Sequence, residues 1–231
     1  MSNSLKSLVR TLGVLCLCLA GFFAQGCKPE APPAPSSPAT PTAPSKPESP
    51  AAPAAPSGET KPAQSEPGKK LLATLVTNKG TIEFELLTDD APKACDNFRL
   101  LANRGYYNNL IFHRVINGFM IQGGDPNGNG TGGESAWGGT FDDEINPSSP
   151  LYQGGYKPGI VAMANRGPNT NGSQFFIMHK NYPLPPRYTI FGRVTKGQNV
   201  VDSIATSPVG PNDMPLSKVI ITSAKVVEMG G

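Results

Sequence analysis

Nine prolines stand at every third position of this chain: Pro32, Pro35, Pro38, Pro41, Pro44, Pro47, Pro50, Pro53 and Pro56. Proline fixes φ and lacks a backbone N–H, so neither a helix interior nor a sheet ladder tolerates such a run. Polyproline II has three residues per turn, which sets all nine on one face of an extended rod. Around them, from Pro29 to Gly68, the composition is Pro, Ala and Ser, too poor in apolar bulk to offset the entropy of ordering. The segment reads as a disordered, semi-rigid linker reaching up to roughly 120 Å at ~3.1 Å per residue. No glycine recurs every third position, which excludes collagen. The PxxP spacing also fits a ligand for a proline-reading domain, the rarer use of such a tract.

The linker divides the chain into residues 1–26, 27–68 and 69–231. Lys6 and Arg10 precede an apolar run from Leu12 to Ala24, shorter than the roughly 20 residues of a spanning helix. It reads as a signal-peptide core. Next comes Ala24-Gln25-Gly26-Cys27, which resembles the lipobox of bacterial lipoproteins, although Gln25 is not a favoured residue there. That resemblance implies cleavage before Cys27 and its lipidation, for instance with palmitate. Lys28, in place of an aspartate, implies sorting to the outer membrane of a cell with two membranes. Cys16 and Cys18 leave with the signal, so Cys95 alone remains in the folded part and no internal disulfide forms. The expected location is the bacterial cell envelope, with a lipid anchor as the membrane contact and the domain facing the periplasm or exterior. An uncleaved amino-terminal helix or a secreted soluble protein is the alternative.

Folding signals begin at Lys69. "LLATLVT" and "TIEFELL" flank Asn78-Lys79-Gly80, with Ile82, Phe84 and Leu86 alternating against Glu83 and Glu85, the pattern of a hairpin with one buried face. Asp89 or Asp90 is placed to cap a helix in which Pro92 sits early and Ala94, Phe98, Leu101 and Ala102 share a face before Gly105. Short apolar runs at 110–122, 159–163, 174–178, 189–194 and 218–227 alternate with Gly, Pro and Asn clusters. Val200, Val201 and Ile204 mark a second helix. Many short strands and two lone helices predict a mainly β fold, a closed barrel with capping helices, rather than alternating βαβ units.

Several motifs point elsewhere and fail on context. "GNGTGG", residues 128–133, matches G-x-G-x-x-G but opens no amphipathic helix. The same loop begins like a calcium loop at Asp125, Asn127, Asn129 and Gly130, yet its twelfth place is Ala136 where a bidentate glutamate is needed. The only histidines, His113 and His179, with the one domain cysteine make no usual zinc set, so no metal and no cofactor is expected. Ser173 sits outside any G-x-S-x-G elbow. His113 reads as a hydrogen-bonded structural residue and Cys95 as structural. A net charge of +3 without a basic cluster argues against nucleic acid.

Two stretches remain: "FHRVINGFMIQGGD", residues 112–125, and "GIVAMANRGPNTNGSQFFI", residues 159–177. Arginine and glutamine interrupt the first, which otherwise reads as core. Together with "NGTGGES" at 129–135, "FDDE" at 141–144 and "FGRV" at 191–194, they resemble the cyclophilins, the peptidyl-prolyl cis-trans isomerases, over nearly all of 70–227. The resemblance implies an eight-stranded antiparallel closed β-barrel capped by two α-helices. It implies that Arg114 is catalytic and that Gln122 orients the substrate. It further implies that Phe119, Met120, Phe176 and Leu184 line a proline pocket, that Ala164 and Asn165 hold the substrate chain through their backbone, and that Gln174 and Tyr188 lie at the site. Met163 matches a residue beside a neighbouring subsite. In the stretch where many members read an aromatic residue and then Leu-Asp-Gly-Lys, this chain reads Pro183-Leu184-Pro185-Pro186-Arg187. The tryptophan that supports cyclosporin binding in eukaryotic members is therefore absent, and Trp137 lies elsewhere. The stretch 146–157 is irregular.

The implied activity is rotamase catalysis on X-Pro bonds of exported or envelope proteins, by a monomer acting on proline-containing polypeptides without a cofactor. A chaperone that holds proline segments, with incidental turnover, is the alternative. The residue types suit the first: a permanently charged guanidinium can donate to a prolyl nitrogen that becomes an acceptor only when the amide twists.

Overall fold

The computed structural model describes residues 70–229. The expected signal peptide, Cys27 and the proline-rich linker lie outside the described residues. Strands β1 (Leu71–Thr77) and β2 (Gly80–Leu86) form the expected hairpin, paired from Leu71↔Leu86 to Thr77↔Gly80. β3 (Arg114–Ile116), β4 (Met120–Gly123), β5 (Ile160–Met163), β6 (Phe175–Met178), β7 (Ile190–Lys196) and β8 (Ile221–Glu228) complete one antiparallel sheet in the order β3-β4-β6-β5-β7-β2-β1-β8. The apolar run at 110–122 is thus two strands. Gly118, at φ 82°, turns the chain between them, and Phe119 N–H closes the turn on Ile116 O at 3.0 Å.

The sheet curls into an open half-barrel, which corrects the expected closed one. β3 and β8 share no ladder; the gap is bridged just before each strand by the pair Ile111↔Ile220 and by Phe112 N–H donating to Val219 O at 3.0 Å. β3 has only three residues, too few to extend a ladder along β8, and a loop can cover an exposed edge as well as a strand can.

Alternation along the strands separates two apolar clusters. Val115, Ile121, Val161, Met163, Phe175, Ile177 and Phe191 face the interior with Phe84 and Phe98. Met120, Ile160, Ala162, Phe176, Met178 and Ile190 face outward into a second cluster. Period-two geometry requires this split once both faces of a strand are apolar. Helices α1 (Pro92–Asn103) and α3 (Gln198–Ala205) cover the interior with Phe98, Leu101, Val201 and Ile204. A single turn, α2 (Pro150–Gln153), lies in the irregular stretch and carries no sequence period long enough to read.

The cap of α1 differs from expectation. Its N-cap is Ala91, with no capping side chain of its own. Glu144, distant in sequence, supplies the acceptors: Oε1 takes Lys93 N–H at 2.9 Å and Oε2 takes Ala94 N–H at 2.8 Å. Neither Asp89 nor Asp90 reaches these amides because the chain is already turning through the Leu87 carbonyl, which accepts from Asp90 and Ala91 N–H. Glu144→Ala is expected to destabilise the fold by about 1 kcal/mol, the usual worth of an N-cap. A shift of the urea midpoint at constant slope measures it.

Candidate active site

The outward face of the sheet gathers the residues of the two diagnostic stretches. Arg114 pairs with Gln122, Gln122 with Phe176, Phe176 with Ala162, and Ala162 with Ile190. These five residues form one row across five strands, and directly opposed side chains in a sheet lie about 4.5–5.5 Å apart at Cβ. A second row runs Ile116, Met120, Met178. One end of the surface is therefore charged and polar, and the middle is apolar.

Phe119, Leu184, Ala164 and Tyr188 pack against this apolar cluster from its rim. Phe176 meets the Tyr188 ring edge-on at 5.5 Å and 87°. Tyr182, absent from the expected set, lies over Phe119 with ring centroids 4.2 Å apart. It stands one residue before the position where the family's aromatic was sought, and no sequence period marks it. Tyr188 is fixed through its backbone: Tyr156 Oη donates to its carbonyl at 2.9 Å and accepts its N–H at 3.2 Å, and Tyr152 Oη shares its one proton between Glu144 O at 3.1 Å and the Tyr188 carbonyl at 3.3 Å. Burial pushes the Tyr156 hydroxyl well above the ordinary tyrosine range and Tyr152 up to about 12, so both remain donors at any physiological pH. Met163 faces the interior and is fully buried, so it does not line the subsite that the resemblance implied; period-two alternation places it opposite Ala162 and Ala164.

The polar end is held by a chain of hydrogen bonds. Gln122 Nε2 donates to Gln174 Oε1 at 2.9 Å. Gln174 Nε2 donates in turn to the carbonyls of Gly130 at 3.1 Å and Gly132 at 2.8 Å. The glycine loop is wrapped around Asp125: Oδ1 accepts from Asn127 and Gly132 N–H at 2.9 and 3.0 Å, and Oδ2 from Asn129 and Gly130 N–H at 2.9 and 2.5 Å. A Cβ on Gly132 would meet Asp125 Oδ1 at 2.5 Å, so glycine is required there. Burial by itself raises the Asp125 pKa, but the amides of Asn127, Asn129 and Gly130 outweigh it and hold the carboxyl below its usual value. The "GNGTGG" run is thus a carboxylate-centred loop and not a phosphate cradle.

Gln122, Gln174, Ala164 and Asn165 line a cleft of about 260 Å3. On the other side of Gln122, a cleft of about 400 Å3 is lined by Arg114, Asp213, Asn129 and Met214. Asn165 Nδ2 donates to Arg187 O at 2.8 Å, and Ala164 N–H donates to Gln174 O at 3.0 Å. Ser173 Oγ donates to Gly124 O at 2.6 Å and Cys95 Sγ to Phe191 O at 3.4 Å, both structural arrangements. His113 is buried, but neither ring nitrogen has a hydrogen-bond partner among the described residues. This corrects the expectation of a hydrogen-bonded histidine. Burial lowers its pKa and leaves it neutral.

His179, the other histidine, steadies the turn that carries Phe119. Its Nδ1 accepts Gly118 N–H at 3.1 Å, so the ring proton sits on Nε2, 3.6 Å from Asp202 Oδ1. Burial lowers its pKa from 6.5; Asp202 opposes that shift and Lys180 adds to it. A histidine whose folded pKa is depressed contributes stability that is complete above its unfolded pKa and is lost as pH falls through the lower folded value. Protonating Nδ1 also removes the acceptor for Gly118. Melting temperature is therefore expected to drop on acidification from about pH 7 to about pH 5, and His179→Gln, which retains an acceptor, is expected to shrink that drop. An equal drop in the variant would place the titration elsewhere.

Comparison with known proteins places these residues in a family. The model of the cyclophilin type peptidyl-prolyl cis-trans isomerases matches residues 72–226. Peptidyl-prolyl cis-trans isomerase-like 1 of Neurospora crassa is 51% identical over 152 residues, covering 65% of this chain and 91% of its own. Its namesake from Aspergillus fumigatus is 50% identical over 155 residues, covering 67% and 94%. Among solved structures, a cyclophilin type isomerase of Cryptosporidium parvum, crystallised in the presence of the dipeptide Ala-Pro, shares 42% identity at a TM-score of 0.62 and covers 69% of this chain and 99% of its own. These two relatives are isomerases of fungi, not bacterial envelope lipoproteins, which corrects the expected location in a bacterial envelope. That expectation rested on residues 6–28, which lie outside the described residues, against a likeness spread over residues 72–226. Among the described residues no helix is long and apolar enough to cross a membrane.

Proposed function

This chain belongs to the cyclophilin-type peptidyl-prolyl cis-trans isomerases and is an enzyme of that class; from that membership we propose that it turns X-Pro bonds by an Arg114 hydrogen bond to the twisted prolyl nitrogen over an apolar floor. The observation that carries this reading is the row Arg114, Gln122, Phe176 across adjacent strands, with Met120, Phe119 and Leu184 beside it.

An X-Pro bond resists rotation by about 18–20 kcal/mol because the amide nitrogen shares its lone pair with the carbonyl. Twisting ends that sharing and makes the nitrogen an acceptor. A guanidinium donor then binds the twisted state better than the planar one, and only such differential binding speeds the step. Phe119, Met120, Phe176 and Leu184 hold the pyrrolidine ring, so that rotation occurs on the side of the carbonyl that precedes it. Gln122, kept in place by Gln174, and the backbone of Ala164 and Asn165 fix the flanking peptide, and Tyr188 closes the floor against Phe176. Holding the ring and the flanks in one geometry lowers the barrier by orientation as well as by charge. No step needs a covalent intermediate or a cofactor.

Proline-containing polypeptides are the substrates on this reading. The Ala-Pro dipeptide present with the 42% identical structure supports that class. The test is isomerisation of an Ala-Pro peptide by the wild-type chain and by Arg114→Ala. A chaperone that merely holds proline segments needs no donor specific to the twisted state, so it keeps its peptide affinity and its small turnover after that substitution.

A further inference from the structure

Asp213 stands beside Arg114, and neither the sequence motifs nor the family likeness brings it to notice. Its Oδ2 lies 3.4 Å from Arg114 Nε, with the two side chains 46% and 43% exposed. An unusual backbone delivers it. Asn212 and Asp213 both adopt positive φ, 60° and 59°, within a 3-10 turn over Pro211–Asp213. Asparagine and aspartate are the non-glycine residues that best accept that region, but two in succession persist only where the surroundings hold them. Here they do. The turn is the tip of a tight hairpin closed by the pair Val209↔Pro215, by Gly210 N–H donating to Met214 O at 2.8 Å and by Leu216 N–H donating to Pro208 O at 2.9 Å. The hairpin packs at β3, the short edge strand that carries Arg114.

We propose that Asp213 is a positioning residue for Arg114. An arginine on an edge strand, nearly half exposed, samples many rotamers, and a guanidinium that must meet a transient acceptor loses rate for each one that points away. The Asp213 carboxylate attracts the guanidinium from its Nε side. The two terminal nitrogens are then left to donate to a prolyl nitrogen held over Gln122 and Phe176, the strand neighbours of Arg114. The role rests on the reading of Arg114 as the donor. It also predicts salt sensitivity, because a half-exposed ion pair is screened by ions.

The test compares Asp213→Gly, Asp213→Asn and Asp213→Glu with the wild type and with Arg114→Ala, reading peptide isomerisation, ground-state peptide Kd by NMR titration, and melting temperature. Glycine and asparagine accept positive φ, so neither is expected to lower the melting temperature. Turnover is expected to fall about threefold to fivefold in both, the scale of one exposed ion pair, with Kd unchanged because the pair acts on the twisted state. Asp213→Glu is expected to restore part of the rate. About 1 M salt is expected to bring the wild type toward Asp213→Asn and to leave that variant unmoved. Wild-type turnover in Asp213→Gly and Asp213→Asn, with Arg114→Ala impaired, overturns the positioning role alone. An unimpaired Arg114→Ala overturns the donor reading beneath it. Loss of turnover matched by weaker Kd or by a lower melting temperature in both variants assigns Asp213 to binding or folding, and likewise overturns the proposal.

Discussion

Arg114→Ala is expected to slow isomerisation of an Ala-Pro peptide at least about tenfold, since a hydrogen bond from a charged donor is worth roughly 1.5–3 kcal/mol and each ~1.4 kcal/mol is a factor of ten. The fold should survive. The Arg114 side chain is 43% exposed and its ion pair with Asp213 is half-exposed as well, so melting temperature is expected to stay near the wild-type value. Peptide affinity in the planar state should also hold, because the donor's partner exists only when the bond is twisted. Arg114→Lys should recover little of the rate: an ammonium carries the charge but lacks the planar fork that Asp213 can hold from one side. A protease-coupled or exchange-NMR assay reads the rate. Turnover unchanged in Arg114→Ala would remove the mechanism and leave the apolar floor as a binding surface.

The second large effect is on stability. Asp125→Ala leaves the amides of Asn127, Asn129, Gly130 and Gly132 without their acceptor. A fully buried donor left unsatisfied costs about 1–3 kcal/mol; these four bonds are part-buried, so each costs less as the relaxed loop admits water. A net loss of about 3 kcal/mol is expected, equivalent to a fall of about 6–12 °C in melting temperature for a domain of this size. Activity should fall too, and for a traceable reason: the Gly130 and Gly132 carbonyls hold Gln174, and Gln174 holds Gln122. Asp125→Asn, keeping one acceptor oxygen, should lose less. In the wild type the depressed Asp125 pKa contributes stability that is complete above its unfolded value and disappears as pH falls through the lower folded one, in the strongly acid range. A loss well under 1 kcal/mol in Asp125→Ala would show that the loop holds its own shape.

The hairpin of β1 and β2, helix α1 and the apolar period of α3 were legible because each is written in neighbouring residues. In "FHRVINGFMIQGGD" the facing of the strands was legible: alternation on β3 and β4 puts Arg114, Met120 and Gln122 on one face and Val115 and Ile121 on the other. Met163 shows the limit of a matched position, since its strand phase turns it inward. The envelope placement failed for a different reason. It depended on a pattern that lies outside the described residues.

By itself, the chain determined its periodicities: a proline at every third position from Pro32 to Pro56, strands apolar on both faces, and an arginine and glutamine set at outward positions. Tertiary structure alone decided which distant residues meet. Glu144 caps α1, His179 grips Gly118, Tyr182 covers Phe119 and Asp213 faces Arg114. None of these pairs has a sequence signature, because sheet order and loop geometry bring them together and local backbone preference carries no information about either. Whether the barrel closes was settled in the same way, by the three residues of β3 and the loop contacts that stand where a ladder would have run.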